Sequence, residues 1–240
     1  MKKISIAEPV TATRKIKILE NNDPLVDLFE FCPALLQDRP RFKYRRERWI
    51  RKGVAERLCE ASAKLPKGYK LAIIEGWRAP FIQKRMYESV YARFRERNPD
   101  WSDVKMRRVV NRFTAPIDRL SPPPHTTGGA VDLLLAREDG SIPNHCAPYE
   151  PSDEHGFPFA APNLREDVLE VRGILAEAIT PTGLTNYPSE YWHWSYGDQG
   201  WAYRGGHPHA LYGPIEPPDW SPDPNDLTDA PLEWEEDPAS

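Results

Sequence analysis

Twenty-six prolines cut this 240-residue chain into short pieces. Proline lacks a backbone N–H and fixes φ, so it ends helices and stays out of central strands. Residues 1–45 carry Pro9, Pro24, Pro33 and Pro40 and read as an irregular segment packed on a core. Trp49 to Leu65 predicts an amphipathic helix, with Val54, Leu58, Ala61 and Leu65 at three- and four-residue steps, closed by Pro66 and Gly68. Tyr69 to Ile74 reads as a strand, and EGWRAP after it as a turn. Phe81 to Asn98 and Val104 to Phe113 read as helices separated by a break at Pro99. Pro122, Pro123 and Pro124 stiffen the approach to His125, Gly128–Gly129 make a turn, and Ala130 to Leu135 reads as a buried strand. After a Pro- and Gly-containing loop, Leu164 to Ala178 is a helix with Val168, Val171 and Leu175 on one face. Glu190 to Trp194 and the aromatic run to Tyr203 read as strand and turn. Residues 213–240 are Pro-rich and acidic, and are expected to be poorly ordered or draped over the surface. No internal repeat is visible. The whole predicts one α+β domain over residues 46–212, with helices packed on a small antiparallel sheet that carries the site.

A net charge of −4 gives no reason to expect nucleic acid as a partner. The basic stretch Arg39 to Lys52 is read as a solvated face leading into a helix. No apolar run reaches the length of a membrane span, so no membrane partner is expected. MKKISIAEPV lacks an apolar h-region, and Cys32, Cys59 and Cys146 are widely spaced. Both features favour a reducing cytoplasm.

Four residues in two segments carry the chemistry: His125 and Asp132 in PPPHTTGGAVDLLL, and Glu190 and His193 in SEYWHW. Two imidazoles and a carboxylate form a ligand set for zinc with a fourth position left for water or substrate. A second carboxylate could accept a proton, as metal-assisted hydrolysis requires. Each residue has an ordinary reading too. Asp132 could cap a turn, His125 could be a surface loop residue, and Glu190 and His193 could be satisfied polar residues in an aromatic strand. A three-residue step places side chains on opposite faces of a regular strand, so Glu190 and His193 meet only through a turn or bulge. Arg78 is either a positive charge aimed at an oxyanion or a surface ion-pair partner. His145 and His155 read as surface residues, and His207 with His209 as a competing metal site.

The order EGWRAP, then His-x6-Asp, then Glu-x-Trp-His resembles the D-alanyl-D-alanine dipeptidase family, zinc peptidases related to D,D-carboxypeptidases and to the hedgehog signalling domain. The resemblance runs from about Val54 to Ile215 and includes GDQGWAY and ALYGPI. It implies one Zn2+ per chain on His125, Asp132 and His193. Glu190 would be the base that moves a proton from water to the leaving amine, and Arg78 would stabilise the tetrahedral intermediate. HCAPYE would place Glu150 against the substrate ammonium. The family tends to have Ser two positions before its first His ligand; Pro123 stands there, which leaves that hydrogen bond to Ser121 or Thr126. The implied substrate is a small dipeptide, D-Ala-D-Ala or a close relative. A carboxypeptidase of peptidoglycan stem peptides and a non-catalytic zinc-stabilised binding domain are the alternatives.

Overall fold

The structure, a computed structural model, describes residues 8–118, 120–151 and 153–235. The segment expected to be irregular supplies short elements: α1 (Val10–Thr13), β1 (Lys17–Ile18), β2 (Leu25–Asp27), α2 (Leu28–Phe31) and β3 (Leu36–Gln37). β2 pairs antiparallel with β4 (Trp49–Arg51). That pairing delays the first long helix. Residues 49–51, expected to be helical, are a strand, and α3 spans Lys52–Lys64. α3 buries Val54, Ala55, Leu58 and Ala61 and stops before Pro66, which disfavours a helical residue at position 65.

β5 (Tyr69–Glu75) leads through a turn into α4 (Pro80–Arg97), with proline at the first helical position, where its missing N–H costs nothing. α5 (Asp103–Val110) is shorter than its apolar pattern and is capped by the Ser102 hydroxyl. β6 (Ala130–Arg137) and α6 (Glu166–Ile179) match the sequence expectation within two residues at each end. β7 (Thr185–Asn186) and β8 (His193–Ser195) are short. The aromatic run then contains a helix the sequence did not announce, α7 (Gln199–Gly205), started by the Asp198 side chain and ended by left-handed Gly206. β9 (His209–Ala210) pairs with β1.

Five strands form one sheet in the order β3-β5-β6-β8-β7. β3 and β5 are parallel and the other pairs antiparallel, so the α+β sheet is mixed only at one edge. Alternation sends Leu71, Ile73, Val131, Leu133, Leu135 and Trp194 to one face. There they pack on Val54, Leu58, Val171, Leu175 and Ile179 from α3 and α6. The opposite face carries Asp132 and His193.

The C-terminal segment is built into the molecule. Trp220 packs edge-on against Trp77 at 5.1 Å, and Leu232 is buried in a second apolar cluster with Trp77, Ile82 and Met86. Phe42 and Trp234 form an antiparallel bridge. The Asp226 carboxylate accepts the Arg45 N–H at 2.9 Å. The basic stretch is therefore threaded between neighbours rather than solvated throughout. Arg51 is 1% exposed and donates to Glu20 and to the carbonyls of Thr127, Asp23 and Gly213.

Candidate metal centre and active site

Three neighbouring strands set the site. Glu75 on β5 lies opposite Asp132 on β6, and Asp132 lies opposite His193 on β8. Cross-strand partners share a face, so these three side chains form a row. Unbroken alternation from Ile73 would have turned Glu75 onto the core face. A register shift between Ile73 and Glu75 brings it to the site instead.

His125 enters from a 3-10 turn, Pro124–Thr127, closed by Gly128 at φ 68. Its Nδ1–H donates to the Gly76 carbonyl at 2.8 Å, while the Arg78 N–H donates to the His125 carbonyl. Gly76 has to be glycine, because a Cβ there would lie 2.8 Å from the Trp49 carbonyl. The backbone bond fixes the His125 ring and turns Nε2 towards Asp132, 3.3 Å away. His193 Nδ1 approaches the same Asp132 oxygen at 2.9 Å.

Ligand atoms of His125, Asp132 and His193 all lie within 4.8 Å of one another. Two buried imidazoles facing one half-buried carboxylate make a donor set that fits a zinc ion. Burial pushes the Asp132 carboxyl up, but the two imidazoles outweigh it and hold the group well below its usual range. Burial lowers His193, against the pull of Asp132, which keeps its lone pair available. His207 and His209 do not join a ligand group among the described residues. His207 stacks on Trp201 at 3.8 Å, and His209 pairs in β9.

Glu190 reaches the same face by a turn. The Asn186 side-chain amide donates to the carbonyls of Glu190, Tyr191 and His193, and the His193 N–H donates to the Glu190 carbonyl. Residues 190–192 are thus a tight turn, and only His193–Ser195 is strand. Glu190 is 8% exposed. Burial first, and then the charge of Asp132, raise its carboxyl to about 8, while Arg41 and Arg78 pull it down.

Arg78 is buried and held. Its Nε and Nη2 donate to the two Glu75 oxygens, and Nη1 donates to Gln83 Oε1 at 2.6 Å. Tyr44 OH donates to Glu75 as well. Burial works to lower the Arg78 pKa, but the Glu75 carboxylate keeps it charged. Among the described residues, three of the five guanidinium N–H groups are used, leaving two for another acceptor.

The other expected contacts are more peripheral. The Thr126 hydroxyl donates to the Pro123 carbonyl at 2.7 Å, and Ser121 is half-buried at the start of the proline run. Glu150 is exposed on the loop that carries Cys146. Sequence reasoning missed Glu75, Gln83, Tyr44 and Asn186. Glu75 had a signal, an acid three residues before an arginine at a strand end. Tyr44 and Asn186 act across sequence gaps that no local pattern shows.

The D-ala-D-ala dipeptidase family of peptidases matches residues 42–210 of this chain. The chain belongs to that family. It is 28% identical over 201 residues to a D-alanyl-D-alanine dipeptidase of Synechocystis sp., covering 70% of this chain and 79% of that protein. The solved LD-carboxypeptidase LdcB aligns over 80% of this chain and 77% of its own, at 18% identity and a TM-score of 0.40, a likeness too weak to carry chemistry across. No helix among the described residues is long and apolar enough to cross a membrane.

Proposed function

We propose that the protein is a zinc-dependent dipeptidase that hydrolyses D-Ala-D-Ala or a close dipeptide. The carrying observation is the convergence of His125, Asp132 and His193 on the face that also holds buried Glu190. His125, Asp132 and His193 would hold the ion, which when bound supplies Lewis-acid polarisation of the scissile carbonyl and of water. Glu190 takes the proton from the attacking water and passes it to the leaving amine. Burial raises its affinity for protons, which suits retention of the proton until it reaches the amine, and a cation held beside it would favour the carboxylate form that accepts that proton. Arg78 turns its two unassigned N–H groups towards the charge that develops on the carbonyl oxygen. Glu75 and Gln83 hold the guanidinium in place, so little reorganisation is needed at the moment of reaction.

Glu150 is assigned to the substrate ammonium, and Ser121 or Thr126 to a substrate hydrogen bond. One small dipeptide is the expected partner. Its three cysteines are free thiols, which supports a reducing, cytoplasmic setting. The test is Glu190→Gln. It is expected to bind one zinc per chain, as the wild type does, and to lose turnover by about 100-fold or more. Near wild-type hydrolysis by a zinc-loaded Glu190→Gln protein would refute the assignment.

A further inference from the structure

A dipeptide differs from an internal peptide bond by its two charged ends, and its free carboxylate needs a cation. Only an amide nitrogen and one α-carbon separate that carboxylate from the scissile carbonyl, so the cation must stand close to the base. Two arginine charges act on Glu190, those of Arg78 and Arg41. Arg78 is matched by Glu75 across two hydrogen bonds. Arg41 is exposed and not matched: among the described residues, no carboxylate pairs with it and its guanidinium donates no hydrogen bond to protein.

Arg41 is nevertheless held in place. Its guanidinium carbon lies 3.7 Å from the centre of the Trp192 ring and 5.4 Å from that of Phe157. Trp192 sits between Glu190 and His193 in the chain. The backbone of Arg41 is tied as well, its carbonyl accepting the Glu235 N–H at 2.9 Å beside the Phe42–Trp234 bridge. A planar guanidinium can stack by its face on an aromatic ring and still present its N–H edge to a carboxylate. Arg41 combines both conditions, a fixed face and an unengaged edge.

We propose that Arg41, seated on Trp192, receives the C-terminal carboxylate of the substrate and thereby makes the enzyme select free dipeptides. The inference rests on the dipeptidase reading above and names a specificity-determining contact for it. Arg41 lies one residue before the stretch that matches the family.

The experiment compares D-Ala-D-Ala with its C-terminal carboxamide on the zinc-loaded full chain, for wild type, Arg41→Gln and Arg41→Lys. The wild type is expected to prefer the free acid. Arg41→Gln is expected to lower kcat/KM for the acid at least about 10-fold, mainly through KM, as loss of a hydrogen bond to a charged group does. The carboxamide should change far less, and Arg41→Lys should restore part of the preference. Equal losses on both substrates would mean that Arg41 only braces the aromatic wall, and no loss would mean that it does not meet substrate. Either result overturns the proposal while leaving the dipeptidase reading standing. Failure of the wild type to cleave either compound would overturn the reading and this inference together.

Discussion

Burial pushes the imidazole of His145 down to about 4. One nitrogen, Nε2, donates to the Leu135 carbonyl at 3.0 Å, and the other is buried with no partner among the described residues. The ring lies parallel to Tyr191, which packs on Arg172 from α6. A neutral ring fits this place and a protonated one does not. In the unfolded chain the same ring titrates near its ordinary value of 6.5, so below that pH the unfolded state binds a proton that the folded state refuses. Stability from this residue is therefore complete above about pH 6.5 and is lost as pH falls towards 4. Between pH 7.5 and pH 5 the loss is about 2 kcal/mol, measured by urea unfolding. His145→Gln should flatten that part of the profile; an unchanged slope would place the acid sensitivity elsewhere. The sequence placed His145 on the surface because nothing in HCAPYE signals that Arg172 would bind its carbonyl from a helix 27 residues on.

At the scale of elements, the register shift in β5 matters most. It delivers Glu75 to Arg78, and the pair is almost wholly buried, with side chains 6% and 7% exposed. Removing the acid leaves a guanidinium without its counter-charge. Glu75→Ala is expected to cost about 3–5 kcal/mol of stability and to impair turnover as Arg78 loses its orientation. Thermal unfolding and kcat on the same preparation check both. A stable Glu75→Ala protein with normal kcat would show that the pairing is dispensable. The long helices α3, α4 and α6 were legible because their apolar residues recur with the helical period and prolines end them. Asp132, Glu190 and His193 stood out as polar residues set in apolar or aromatic runs, and His125 as an imidazole between a proline run and a Gly-Gly turn. What stayed hidden depends on pairing with distant chain: β4 is a strand because β2 lies beside it, Glu190 meets His193 because Asn186 gathers three carbonyls, and Glu75 turns to the site through a bulge. α7 was masked by glycines and aromatics, although Asp198 and Gly206 cap it.

Across the whole molecule, two stretches far apart in sequence, residues 41–45 and 226–234, clasp each other beside the site. The C-terminal segment holds residues 41–45 through the Phe42–Trp234 bridge and the Asp226–Arg45 contact, and that short stretch carries both Arg41 and Tyr44. Arg85 of α4 anchors the same segment through the carbonyls of Asp226 and Ala230. Composition pointed to a tail either poorly ordered or draped over the surface, because acidic and proline-rich sequence cannot form its own core. It omits the few apolar residues, Trp220 and Leu232, that join an existing one. Deleting residues 216–240 exposes that cluster, and burial of two such side chains is worth roughly 3–5 kcal/mol. For a chain of this size the melting temperature should fall by roughly 10 °C, with kcat/KM reduced as residues 41–45 loosen. A truncated protein that melts and turns over like the full chain would mean that the clasp plays no part in shaping the site.

Hydrolysis of a dipeptide at a metal centre of His125, Asp132 and His193, with Glu190 as base, is the function proposed for the protein. The most direct measurement is release of free D-alanine from D-Ala-D-Ala by the purified protein, with added zinc and with a chelator. Release is expected, abolished by the chelator and restored by zinc. No release from folded, zinc-loaded protein, or release that survives complete removal of metal, would contradict that function.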